Sequence, residues 1–159
     1  MKPLWEVADF VRMMRRQMRF GELSRAPLRL LRLELQGESA QCDWMMRPPD
    51  AWDESLRPRE RERNVSQQAL RDAIALRELF FDALPGVQKA VLRTFRQSAP
   101  REPPELILFG AVTREEPATL RVSSLPMRAK LHGFQFHLED GILGPLQQQV
   151  EEPSLELTI

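Results

Sequence analysis

The chain has 159 residues, of which 42% are apolar and 29% are charged, and its 23 cationic side chains balance its 23 anionic ones. Such a chain suits one domain with its own hydrophobic core, and its composition excludes wholesale disorder. No apolar run is long enough to cross a membrane. Glu6 and Asp9 stand where a signal peptide would need its apolar core, and the single cysteine excludes an internal disulfide. We therefore expect a cytoplasmic protein.

The first predicted element is a helix from Lys2 to Phe20, in which apolar residues recur at steps of three and four and Gly21 follows as the C-cap. Its cations share one face, because they stand at i, i+3, i+4 and i+7. These cations are Arg12, Arg15, Arg16 and Arg19. Its apolar face is wider than one sheet contact needs, since it comprises Leu4, Trp5, Val7, Phe10, Val11, Met14 and Met18.

Two alternating segments, Leu28–Leu35 and Ala40–Arg47, flank a short turn and predict a β-hairpin. On the first strand the apolar positions predicted to face the core are Leu31, Leu33 and Leu35. On the second strand they are Cys42, Trp44 and Met46. This pattern favours Cys42 as a small core side chain over a catalytic nucleophile.

Residues 48–63 hold three prolines and nine charged residues, which predicts an exposed charged loop. Trp52 is the exception in this polar segment. It either folds back over the core, which we favour, or awaits a ligand or partner. The acidic neighbours Asp50, Asp53 and Glu54 offer general acid–base chemistry, but solvated carboxylates are the more common outcome in such a loop.

The next segment predicts two helices. Asn64 caps the first, which runs to Leu84 with a broad apolar face. Pro85 starts the second, which ends at residues 97–104 and would bury Val87, Ala90, Val91 and Phe95. Its cations at i, i+4 and i+7 would form a second exposed basic stripe, namely Lys89, Arg93 and Arg96.

The remaining chain is mainly strand-like. Strands are predicted at Leu106–Val112, Leu120–Ser124 and Phe134–Leu138, with a helical turn or two at Leu125–His132 and a turn at Asp140-Gly141. The five-residue spacing of the only histidines, His132 and His137, does not match a helical zinc pair, so we predict neither metal nor cofactor. Residues 148–159 form an acidic tail that we expect to fray.

Together these elements predict a single α+β domain over residues 1–147, with an antiparallel sheet of about five strands and three helices mainly on one face. Charge is uneven: residues 1–40 hold eight cations and five anions, whereas residues 101–159 hold five cations and nine anions. We therefore expect a protein-interaction or assembly subunit that self-associates through the N-terminal helix, whose arginines would meet the acidic end of a neighbour. The alternatives are a nucleic-acid-binding module that uses the basic helix faces, and an enzyme with a site near Trp52 or His137.

Overall fold

The computed structural model describes residues 4–19, 21, 23–97, 99–115 and 122–146, with the backbone alone for residues 4–6. The predictions for the side chains of Leu4 and Trp5 and for the acidic tail lie outside the described residues. No described helix is long and apolar enough to cross a membrane. The elements are α1 (Leu4–Gln17), β1 (Arg29–Gln36), β2 (Ser39–Met45), a 3₁₀ helix (Ala51–Ser55), α2 (Pro58–Ala83), β3 (Lys89–Arg96), β4 (Glu105–Thr113), α3 (Leu125–Leu131), β5 (Phe134–Gln135), β6 (His137–Glu139) and β7 (Ile142–Gly144).

Five strands form one sheet in the order β1-β2-β3-β4-β5, and β6 pairs with β7 in a separate hairpin. The α+β class is confirmed, but the expectation of an antiparallel sheet is wrong at the centre, where β2 and β3 are parallel. Parallel neighbours need a long crossover, and α2 provides it between these two strands. The other pairs in the sheet are antiparallel.

All three described α-helices pack on one face of the sheet. Alternate residues of the central strands, such as Cys42, Trp44 and Leu92, join residues of the helices in a single core cluster. In α1, Phe10 stacks on Phe80 of α2 with ring centroids 4.4 Å apart. The intervening strand residues, including Gln41, Asp43 and Arg93, face away from this cluster.

The helix predicted to start at Pro85 is wrong, because Lys89–Arg96 form strand β3. Ala90 and Leu92 alternate with Val91 and Arg93, and short apolar runs of this kind fit a strand as well as a helix. The predicted second basic stripe therefore does not exist. Arg93 is buried and donates two hydrogen bonds to Asp43 on the neighbouring strand, at 2.9 and 2.5 Å.

Helix α2 begins at Pro58 rather than at the predicted Asn64. Pro58 occupies the first turn, where a missing N–H has no cost, and Arg57 is the extended residue before it. The charged segment 58–63 is thus helical, and the loop after β2 shortens to a stretch that contains the 3₁₀ helix.

The predicted hairpin of β1 and β2 is confirmed, with one change of face. A bulge between Leu30 and Arg32 turns Leu31 outward, so that this predicted core residue is 41% exposed. Cys42 is fully buried as predicted, and burial raises the pKa of its thiol.

In the C-terminal part, α3 and the turn at Asp140-Gly141 agree with prediction, both turn residues having positive φ. The predicted strand over Phe134–Leu138 instead breaks at Phe136, so that β5 joins the main sheet and β6 turns away to β7. Residues 122–124 form no strand, and residues 120–121 lie outside the described part of the chain.

Candidate binding cleft

A cleft of about 1,090 Å³ opens at the carboxyl ends of the parallel strands β2 and β3. Residues at the ends of both strands line it, as do residues from the N-terminal part of α2 and from the β6–β7 hairpin. Ligand sites in sheets with parallel strands commonly lie at the carboxyl ends of those strands. The volume reaches the upper end of the range of small-molecule pockets.

The cleft has an apolar floor, which includes Met45, Met46, Val65, Ile142 and Leu143. Three prolines, Pro27, Pro48 and Pro49, add a stiff apolar wall. Methionine side chains adapt to differently shaped partners, whereas proline holds the surrounding backbone in place. The floor is therefore suited to apolar groups of a ligand or a partner.

The β6–β7 wall is fixed to α2 and to β3. The Ser66 hydroxyl accepts a hydrogen bond from the Leu143 amide at 3.0 Å, and Arg63 Nε donates to the Asp140 carbonyl at 2.8 Å. Arg96 donates to the Leu143 carbonyl at 2.6 Å and is itself held by Glu105. Because these bonds hold both the turn and the second strand of the hairpin, this wall is preorganised.

The opposite wall depends on Arg47, which lies two residues beyond the end of β2 and is 1% exposed. Its guanidinium donates to the Ala26 carbonyl at 2.9 Å and to the Met18 carbonyl at 2.7 Å. It also binds both carboxylate oxygens of Asp72 on α2, at 2.8 and 3.2 Å. One side chain thus joins the end of α1, the segment before β1 and the middle of α2.

Asp72 is the other buried member of this cluster. Burial raises the pKa of its carboxyl, and the hydrogen bonds and positive charge of Arg47, together with a bond from Gln68, act in the opposite direction. Gln68 donates to Asp72 at 2.9 Å and accepts from the Leu23 amide at 2.6 Å. The cluster is therefore hydrogen-bonded on every side, as a buried charge requires.

The rim of the cleft carries both signs of charge. Arg29, Glu62, His137 and Glu139 are exposed there and form no side-chain hydrogen bond or ion pair with any described residue. The described residues contain no group of three or more side chains that could hold a metal ion. A mixed rim of this kind suits polar groups of a bound segment.

The structure distributes the predicted site residues over different surfaces. Arg12, Arg15, Arg16 and Arg19 are exposed along α1 as predicted, and Arg12 pairs with Asp9. Lys89 is exposed on β3, whereas Arg96 lies in the cleft. His132 is buried at the end of α3.

Trp52 contradicts the favoured prediction that it covers the core, because 73% of it is exposed. Asp50 caps the 3₁₀ helix by accepting from the Trp52 amide and also accepts from the Arg25 amide at 3.1 Å. These bonds place the Arg25 guanidinium over the indole, 5.7 Å from the ring centroid. Trp52 is therefore a positioned, exposed aromatic side chain, although it is not itself a lining residue of the cleft.

Sequence reasoning missed the cleft as a unit, because its walls come from five separated parts of the chain. A local signal existed only in Pro48 and Pro49, which end a strand and line the cleft. Comparison of the chain with protein-family models, with curated proteins and with solved structures finds no match in any of the three.

Proposed function

We propose that this protein is a protein-interaction subunit whose cleft binds a segment of its partner. The observation that carries the proposal is the apolar floor of Met45, Val65 and Ile142 within a preorganised, charge-rimmed cleft. Apolar centres with polar rims are the usual anatomy of interaction sites. The exposed Trp52 and its neighbour Arg25 add the two side-chain types that most often contribute strongly to binding.

The test is selection of a random peptide library, displayed on phage, against three proteins. These are the wild type, the cleft variant Ile142→Arg and the control Leu131→Arg, whose exposed leucine lies at the end of α3. We expect the wild type and the control to enrich the same peptides, and Ile142→Arg to bind them about tenfold more weakly or worse, because a cation then stands on the apolar floor. The enriched peptides are then also measured against Arg29→Glu, a second cleft variant on the exposed rim that leaves the floor intact.

Two outcomes would overturn the proposal. One is the absence of any peptide enriched by the wild type. The other is equal affinity of the wild type and both folded cleft variants for the enriched peptides, since binding would then lie elsewhere.

Self-association through α1 is a second candidate, favoured by the exposed arginines of that helix. Phe10, Met14 and Met18 belong to the core of their own chain, so a contact between copies would rely on charge more than on apolar area. Such a contact weakens with salt. We expect sedimentation velocity to detect dimers at low salt, and the combined variant Arg12→Glu, Arg15→Glu, Arg16→Glu to remain monomeric.

Sedimentation of Arg101→Glu, an exposed charge reversal outside α1, is the matched control and should resemble the wild type. A wild-type chain that stays monomeric at high concentration and low salt would remove this candidate.

The nucleic-acid alternative retains only the α1 arginines, and the enzyme alternative retains His137 in the cleft. A cytoplasmic location remains part of the proposal, because the only cysteine is a free, buried thiol.

A further inference from the structure

A second concave site lies on the face of the sheet that the described helices leave uncovered. This groove has a volume of about 470 Å³ and crosses β1 to β4 near the amino ends of β2 and β3. The cleft described above lies at the opposite, carboxyl ends of these strands. The lining residues of the groove include Glu34, Gln41, Lys89, Val91 and Thr113, and none of these lines the cleft.

The buried side-chain amide of Gln41 is not explained by the packing around the groove. The residue is only 7% exposed, and its Nε2 has no hydrogen-bond partner among the described residues. Buried donors are nearly always paired, so an orphaned one indicates a missing acceptor. The terminal torsion of glutamine is broad, so the side-chain amide can turn towards an acceptor that occupies the groove.

The charge of the groove indicates what kind of acceptor fits. Glu34 is held by Arg32, whose Nε and Nη2 lie 3.1 and 2.7 Å from one carboxylate oxygen. Lys89 is exposed and forms no ion pair with any described residue. In the register of β2 and β3, Lys89 pairs with Ser39, and Val91 pairs with Gln41. An ammonium group that no described residue compensates therefore lies two residues along the strands from the orphaned amide, on the same face.

We propose that this groove binds an organic carboxylate with a short apolar body. The carboxylate would accept from Gln41 Nε2 and pair with Lys89, and the apolar body would contact Val91 and Ala111. Both a free small carboxylic acid and the C-terminal carboxylate of a peptide have this chemistry. The inference does not depend on the proposed function of the cleft, because the two sites share no lining residue.

The test follows the side-chain amide signal of Gln41 by ¹H–¹⁵N NMR while isobutyrate is titrated into the protein. We expect this signal and the backbone amides of Val91 and Ala111 to shift, and the amides of His137 and Ile142 to stay in place. Isobutyramide, which has the same shape without the charge, should bind at least about tenfold more weakly. A short peptide with a free C-terminus, compared with its amidated form, distinguishes the two sources of carboxylate.

The variants Gln41→Leu and Lys89→Met should each weaken binding about tenfold or more. Both should fold, because the first removes an unpaired buried donor and the second an exposed cation. The proposal is overturned if neither isobutyrate nor the free-ended peptide shifts the Gln41 signal at tens of millimolar concentrations. The proposal would also be overturned if the folded double variant Gln41→Leu, Lys89→Met bound isobutyrate as tightly as the wild type. Its binding would be followed on the Val91 and Ala111 amides.

Discussion

Arg47 and Asp72 form a two-pronged ion pair in the interior of the domain, with side-chain exposures of 1% and 4%. The two residues are 25 positions apart in the chain, with Arg47 just beyond the end of β2 and Asp72 in the middle of α2. Since Arg47 also holds the carbonyls of Met18 and Ala26, the pair sets the position of α1 and of one cleft wall. The contribution of this ion pair to the fold can therefore be tested by measuring the stability of variants that lack it.

We predict that Arg47→Met lowers the free energy of unfolding by about 3–5 kcal/mol at neutral pH, because Asp72 then stays buried without its cation. The double variant Arg47→Met, Asp72→Leu should lose less than Arg47→Met alone, since the stranded charge is gone. Urea unfolding measures both. Arg32→Met, which breaks the partly exposed pair with Glu34, is the control and should cost less than about 1 kcal/mol. A double variant less stable than Arg47→Met would contradict this account.

The loss caused by Arg47→Met should depend on pH. Burial raises the pKa of Asp72, and Arg47 opposes that rise, so removing Arg47 raises the pKa further. A carboxyl whose folded pKa exceeds its unfolded value, about 3.9, favours the folded state below that pH and less so as pH rises through the folded pKa. The stability gap between wild type and variant should therefore widen from pH 4 upward. A constant gap across urea titrations at pH 4, 6 and 8 would refute the coupling.

The central helix provides a third prediction. Leu76 and Phe80 are fully buried in α2, and Phe80 meets Phe10 of α1. Leu76→Ala and Phe80→Ala should each cost roughly 2–5 kcal/mol, because each leaves a cavity in the single core. Arg16→Ala, on the exposed face of α1, should change stability by less than about 0.5 kcal/mol. Similar small losses of stability in all three variants, measured by denaturation, would mean that the buried and exposed faces of the helices are misassigned.

Long amphipathic helices could be predicted from this sequence, whereas pairing between distant segments could not. The three- and four-residue steps of α1 and α2 report burial along one helix, which is a local property. In and just before β3, Val87, Ala90, Val91 and Phe95 satisfy a helical period by chance. What makes this segment a strand is its parallel pairing with β2, a long-range contact that leaves no local signal.

The absence of a local signal also explains why the partners of the two buried arginines could not be predicted. Arg93 resembled a surface cation because its partner Asp43 lies 50 residues away in sequence. Arg47 resembled the polar end of a strand for the same reason. The cleft and the groove both combine separated segments, so only the structure brings their residues together.

A fourth prediction concerns the contact between β4 and β5. A Cβ added to Gly110 would lie 2.5 Å from Cδ1 of Phe134, closer than carbon atoms approach without displacement. Because both residues are buried, Gly110→Ala should cost about 1–3 kcal/mol, and adding Phe134→Leu should recover part of that loss. Gly144→Ala is the matched control, since its added Cβ meets nothing closer than 4.0 Å. Thermal unfolding would contradict the prediction if Gly110→Ala and Gly144→Ala were equally stable.

The last prediction separates the roles of two tryptophans. Trp44 is fully buried in β2, whereas Trp52 is 73% exposed and contacts Arg25 through its ring. Trp44→Ala should cost roughly 3–5 kcal/mol, because it empties a large volume in the core. Trp52→Ala should cost less than about 1 kcal/mol, which is the most that an exposed cation–π contact contributes. Chemical denaturation of both variants measures the difference, and acrylamide should quench the wild type more than Trp52→Ala. A large loss of stability in Trp52→Ala would mean that the indole does cover the core, as its sequence setting first suggested.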